Sequence, residues 1–143
     1  MHTILGPDAQ SAWALLACAS MPTKDENLLV YQKALSAAGE ISAILRRSSF
    51  ARELRLREQL GSSSERVASL IAEGAEQSTD RHFAEYCYRS KGSAREVRAQ
   101  LLVAVQRGHL RDAERLPIDQ HYEELGRMLS GLIRRLEREN RHR

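Results

Sequence analysis

The apolar residues in the last third of the chain recur in steps of three and four. Tyr122, Leu125, Leu129, Leu132 and Leu136 follow one another at intervals of three, four, three and four, and Met128 and Ile133 widen the row. A helix turns once in ~3.6 residues, so this spacing lines one helical face, whereas a strand would scatter the same residues over both of its faces. A helix that is apolar on one side only must bury that side against another element. This heptad seam therefore asks for partners of the same kind elsewhere in the chain.

Three earlier segments answer. In the first, from Asp25, the residues Leu28, Tyr31, Leu35, Ala38, Ile41 and Leu45 keep the helical step, and "RRSSF" (Arg46 to Phe50) supplies cations and turn residues at its end. Asp25 is placed to cap or charge the N-terminus. The second runs from about residue 51 to 73, with Leu56, Leu60, Val67 and Ile71 on its stripe. "GSSS" (Gly61 to Ser64) inside it looks like a linker, but Leu60 and Val67 stay in phase across it. Small residues there are read as room for a neighbouring helix, at some cost in propensity. The third runs from about residue 79 to 107 through Phe83, Tyr86, Cys87, Ser90, Ala94, Val97, Leu101 and Ala104, with Ser78 as cap, Asp80 in the first turn and Gly108 as stop. Ahead of the fourth, Asp112 opens a turn and Pro117 suits the first helical turn.

No segment alternates with period two. Four amphipathic helices with short connections predict an all-α fold, an antiparallel up-down four-helix bundle over residues 25–137, preceded by an extension over 1–24 and followed by a fraying basic tail over 138–143. The 143 residues suit one domain, and 42 % apolar with 29 % charged residues describes a globular chain. The first twenty residues stand apart. "AWALLACA" resembles a short signal h-region and Leu15-Leu16-Ala17-Cys18 a lipoprotein cleavage box, but no Lys or Arg precedes them, and Asp8 and Gln10 interrupt the apolar run. Met21 is an alternative start. Otherwise the segment is a short extra helix laid on the core through Trp13, Leu15 and Leu16. Two cysteines, Cys18 and Cys87, build neither a disulfide framework nor a zinc site, so a reducing cytoplasm is the expected location, and no apolar run is long enough to span a membrane.

The stretch "LIAEGAEQS" (Leu70 to Ser78) joins the middle helices. Gly74 is expected to stop the second helix in the left-handed conformation. Glu73, a carboxylate in a last turn, is electrostatically misplaced and wants a partner, with Arg66, Arg81 and Arg127 as candidates; the alternative is an exposed, solvated Glu.

These residues also carry a resemblance. "IAEG" (Ile71, Ala72, Glu73, Gly74), then Ser78 and Phe83, then "KGSAREVRAQL" with Gly92, Ser93, Glu96 and Gln100, then "GRMLSGLIRRLE" from Gly126, together with "LLVYQKAL" from Leu28, resemble the four-helix-bundle family encoded in 23S rRNA intervening sequences, over roughly Asp25 to Glu137. Two departures stand out: "VASL" precedes the Ile-Ala-Glu-Gly where the family has a proline and an asparagine, and "AEQ" replaces the basic stretch that commonly follows. The resemblance implies an antiparallel bundle assembling as a ring-like homo-oligomer, a pentamer, with no known catalysis. Related bundles that work with a reverse transcriptase and nucleic acid make a nucleic-acid role a second expectation, by analogy.

A search for chemistry finds little. The sole Glu-x-x-His, Glu139 to His142, lies in the basic tail, where metal cations are repelled. His82, His109 and His121 lack partners at ligand spacing and are read as surface residues. "GSSSE" lacks the lysine and the strand context of a phosphate loop, Cys87 lies on an apolar stripe, and Ser62, Ser63 and Ser64 have no base nearby in sequence. No enzyme, cofactor, metal or small-molecule substrate is expected.

Arginine is the remaining signal. The net charge is +3, and lysine occurs only at Lys24, Lys33 and Lys91. Arg95 and Arg98 crowd the third segment beside Arg81, Arg89, Arg107 and Arg111. Arg127, Arg134, Arg135, Arg138 and Arg141 crowd the fourth, and steps of seven, four and three put Arg127, Arg134, Arg138 and Arg141 on one face. Such faces are commonly just solvated and paired with local Glu. The functional reading is a phosphate-binding stripe for RNA or DNA, multiplied by avidity in a ring. Without the exposed aromatics of a stacking platform, such binding is expected to be backbone-driven and salt-sensitive. The leading expectation is thus a non-catalytic oligomeric scaffold, with a nucleic-acid-binding module as the alternative.

Overall fold

The computed structural model describes residues 25–143. The expectations for Trp13, Leu15, Leu16, Cys18 and Met21 lie outside the described residues. Helix α1 covers Asp25–Leu45, α2 Leu54–Ala75, α3 Asp80–Gln106 and α4 Asp112–Arg141, with a 3-10 turn over Ser48–Arg52 between α1 and α2 and no strand among the described residues. Cross-helix contacts give the directions. Arg98 meets Asp119 while Tyr88 meets Glu137, Arg66 meets Glu96 while Gly74 faces Phe83, and Lys33 meets Glu124 while Asn27 meets Arg135. In each pair one helix ascends as the other descends, so the bundle is antiparallel and up-down. Packing is extensive between α2 and α3 and between α3 and α4, less so between α1 and α2, and thinnest along the α1–α4 seam.

One apolar core runs the length of the bundle. Leu56, Leu60, Val67 and Ile71 of α2, Phe83, Cys87, Ala94, Val97 and Leu101 of α3, and Tyr122, Leu125, Leu129, Leu132 and Leu136 of α4 are all buried. Phe50 of the 3-10 turn plugs one end, fully buried, with its ring centroid 5.1 Å from that of His109. α2 runs unbroken through Gly61 to Ser64. Ser63 and Ser64 are buried, Ser64 Oγ donates to the Gly61 carbonyl at 2.8 Å, and a Cβ on Gly61 would meet Leu45 at 3.5 Å. Ser90 Oγ donates across to the Val67 carbonyl at 2.8 Å, a buried polar link between α2 and α3.

The structure departs from the sequence expectations at several points. The buried face of α1 is Val30, Tyr31, Ala34, Ala37, Ile41 and Ile44, and Leu35 points outward at 41 % exposure. Gly74 is not a left-handed stop. It lies inside α2, buried, and among the described residues only Gly108 has a positive φ. Its role is close approach: a Cβ there would lie 2.7 Å from Phe83 Cδ2 and 2.7 Å from Tyr86 Cβ, closer than packed side chains tolerate. Thr79 rather than Ser78 caps α3, its Oγ1 accepting from the His82 N–H at 3.2 Å. Gly108 does end α3, at φ 81°, with His109 N–H bonded to the Ala104 carbonyl and Gly108 N–H to that of Val105. This is the paired-bond glycine cap that closes helix C-termini. α4 begins at Asp112, so Pro117 lies beyond its first turn, and it continues to Arg141, taking most of the expected basic tail into the helix.

Candidate nucleic-acid interface

α3 and α4 present facing rows of polar residues along one side of their shared crevice. Lys91, Arg95 and Arg98 occur at steps of four and three on α3, and Glu123, Arg127, Ser130 and Arg134 at steps of four, three and four on α4. Because the helices are antiparallel, the rows meet. They line a groove of about 460 Å³ whose floor includes Ala94, Tyr122 and Gly126. From Arg98 to Lys91 the groove is about 10 Å long at the helical rise.

Its charges fall into two groups. Arg98 grips Asp119 with two bonds, Nε to Oδ1 at 2.8 Å and Nη2 to Oδ2 at 3.2 Å, and lies 3.8 Å from Glu123. That hydrogen bonding holds the Arg98 guanidinium pKa above its ordinary value. Arg127 Nη1 bonds Glu123 at 2.9 Å. Both arginines are thus largely compensated. Lys91, Arg95 and Arg134 meet no carboxylate among the described residues, so the groove carries an uncompensated positive field.

The crevice continues along the same faces into a second hollow lined by Arg81, Ala84, Glu85, Tyr88, Glu137 and Arg141. Tyr88 is 53 % exposed there, and its hydroxyl donates to Glu137 Oε1 at 2.8 Å. That bond, then partial desolvation, raises the phenol pKa. Tyr88 is the exposed aromatic absent from the sequence reading; its signal was a position three residues before Lys91 and seven after Arg81, off the apolar stripe.

The structure brings Arg95, Arg98, Arg127 and Arg134 together and leaves others apart. Arg141 lies in the second hollow, whereas Arg135 and Arg138 line a separate depression with Glu139, His142 and Arg143. Arg135 donates to Asn27 of α1 at 3.0 Å. Arg138 lines that depression, although steps of four and three residues keep it within about 60° of Arg134 and Arg141 around the helix axis.

The motif residues of the α2–α3 junction take packing and tethering positions. Ile71 and Ser93 are buried, Phe83 packs against Gly74, Glu96 bonds Arg66 at 2.8 Å, and Gln100 reaches Glu96 at 3.5 Å. Ala72 packs against the core, while Ser78 and Gly92 are exposed. Glu73 is exposed, and its three candidate partners are engaged elsewhere: Arg66 with Glu96, Arg81 with Glu85 and Arg127 with Glu123. The solvated reading of Glu73 fits.

Two histidines have carboxylate partners that the sequence did not reveal. His121 Nδ1 lies 2.8 Å from Glu40, and His109 Nε2 lies 3.2 Å from Glu53, with only 12 % of the His109 side chain exposed, so His109 is not a surface residue. No group of three His, Cys, Asp or Glu residues suited to a metal occurs among the described residues. Cys87 is fully buried, and that burial pushes its thiol up to about 12. The Ser62 and Ser64 hydroxyls bond carbonyls of their own helix. No described helix is long and apolar enough to cross a membrane.

Compared with known proteins, the chain matches the family model described as 23S rRNA-intervening sequence protein over residues 26–131. No curated protein and no solved structure gives a significant match.

Proposed function

The chain belongs to the 23S rRNA-intervening sequence protein family, and from that membership we propose that it is a non-catalytic helical module that holds the phosphate backbone of nucleic acid in its α3–α4 crevice. The observation that carries this reading is the trio Lys91, Arg95 and Arg134, three cations in one groove without carboxylate partners among the described residues. Arginine forks and a lysine point charge suit phosphate oxygens, and a groove about 10 Å long spans about three nucleotides of one strand at ~3.4 Å each. Three phosphate contacts predict a log–log salt slope of about −2, so affinity falls about 20-fold between 50 and 200 mM salt.

Fluorescence anisotropy with labelled RNA and DNA at those two salt concentrations tests it. Replacing Lys91, Arg95 and Arg134 together by Ser abolishes the salt-sensitive binding. Absence of binding by the native protein even at low salt removes the reading.

A second proposal, homo-oligomeric assembly, is supported by leucines that the single chain leaves in solvent: Leu29 at 60 %, Leu54 at 62 %, Leu102 at 53 % and Leu116 at 46 % exposure. Subunits joined through such surfaces would repeat the groove and multiply weak contacts by avidity. Light scattering is expected to give a mass several times the 16.2 kDa chain; a strict monomer at micromolar concentration refutes assembly.

A further inference from the structure

We propose that the α3–α4 crevice takes a single strand rather than a duplex, with one base stacked on the Tyr88 ring. The inference rests on the phosphate-binding reading and adds the form of nucleic acid and the residue that selects it. Three observations support it.

The first is the ring itself. A tyrosine 53 % exposed on a helix face is available as a stacking surface. Its hydroxyl is held by Glu137 of the opposite wall at 2.8 Å, so the ring is fixed across the crevice before any ligand arrives. Little side-chain freedom remains to be lost on binding.

The second is the order of charges. Along the crevice a cationic station (Lys91, Arg95, Arg134) is followed by Tyr88 with Glu137 and Glu85, and then by a second cationic station at Arg81 and Arg141. Arg81 is only loosely engaged, 3.9 Å from Glu85, and Arg141 meets no carboxylate among the described residues. Carboxylates beside Tyr88 repel phosphate there, and cations on either side attract it. A strand laid along the crevice would place phosphates at the two ends and a base in the middle. Arg81 to Arg98 spans about 25 Å of helix, room for about seven nucleotides.

The third is size. The groove between the two packed helices holds about 460 Å³, room for a stretch of one strand but not for two paired strands. A duplex keeps its bases stacked inside and can touch only the outer rim, so it offers Tyr88 nothing to stack on.

The test compares a labelled 12-nucleotide single-stranded RNA with a hairpin duplex of the same phosphate count, at 50 mM salt, on the full-length protein and three variants. The native protein is expected to bind the single strand more tightly. Tyr88→Leu weakens single-strand binding about tenfold while leaving the salt slope and the hairpin affinity unchanged. Tyr88→Phe keeps the ring and retains single-strand binding within about threefold. The Lys91, Arg95 and Arg134 triple Ser variant weakens both ligands and flattens the salt slope. Circular dichroism confirms that each variant is folded, which the exposure of Tyr88 favours. If Tyr88→Leu binds the single strand as well as the native protein does, or the hairpin binds as tightly as the single strand, the stacking inference is overturned and the phosphate reading stands. If neither ligand binds the native protein, both fall.

Discussion

Replacing Gly74 by alanine sets two opposed effects against each other, and the structure decides which wins. Alanine in a helix interior is favoured over glycine by about 0.8–1 kcal/mol. Gly39 in α1 shows that gain alone, because a Cβ there would meet nothing within 4 Å. At Gly74 the same atom would lie 2.7 Å from Phe83 Cδ2 and 2.7 Å from Tyr86 Cβ. The Phe83 ring is buried and cannot swing away, and Tyr86 Cβ moves only with the backbone of α3. Relieving the overlap requires α3 to shift away from α2, an overpacking cost of about 1–3 kcal/mol. Gly39→Ala is therefore expected to stabilise the protein by somewhat under 1 kcal/mol, and Gly74→Ala to fall below it by about 1–3 kcal/mol. At roughly 3 °C per kcal/mol the midpoints separate by roughly 3–9 °C. Urea and thermal denaturation of both variants measure the gap directly, and the propensity gain common to the two cancels in the comparison. If Gly74→Ala stabilises as much as Gly39→Ala, the close approach of α3 is not what requires glycine.

Two other expectations concern polar groups. Glu114 opens α4 by accepting from the Arg111 N–H at 3.2 Å and from the Arg47 guanidinium; mainly the Arg47 bond, then the Arg111 N–H, holds its carboxyl down at about 2. A carboxyl lowered on folding stabilises above its ordinary value of 4.5, and that contribution is lost as pH falls from there toward 2. Glu114→Gln should accordingly be less stable than the native protein at pH 7, with the difference closing over that window; a difference independent of pH refutes the role. The Tyr122 hydroxyl is buried without a partner among the described residues. Tyr122→Phe keeps the ring and removes a stranded polar atom, so denaturation should show it neutral or more stable by up to about 1 kcal/mol; a loss above 1 kcal/mol reveals a bond to that oxygen.

The helices were readable from the sequence where large apolar residues left no choice of phase. The α4 seam of Tyr122, Leu125, Leu129, Leu132 and Leu136 is buried throughout. α1 misled because it is rich in alanine, which carries little preference for either side. Val30, Ala34, Ala37, Ile41 and Ile44 keep the helical step as well as the set containing Leu35 does, and only the close approach of neighbours selects between them. Gly74 misled for the same reason: its requirement comes from residues on another helix. Of the groove, the α3 and α4 arginine faces were legible as spacing. Invisible was which cations would be neutralised, since Asp119 reaches Arg98 from 21 residues away while Lys91, Arg95 and Arg134 meet no carboxylate among the described residues. The stripe through Tyr86 and Cys87 already leaves Tyr88 off the apolar face; what the sequence hides is that Glu137 meets its hydroxyl from 49 residues away.

The thin seam between α1 and α4 has a dynamic consequence. Part of what holds it is polar: the solvent-exposed pairs Lys33 to Glu124 and His121 to Glu40, and a bond from Arg135 to the buried Asn27. Such straps resist separation far less than interlocked leucines do. α1 is thus the door of the bundle, the first piece to swing free while α2, α3 and α4 stay shut. Amide protons along α1 should exchange with deuterium ahead of those on the other three helices, and the phosphate groove, built wholly on the slower pair, keeps its shape while the door is ajar.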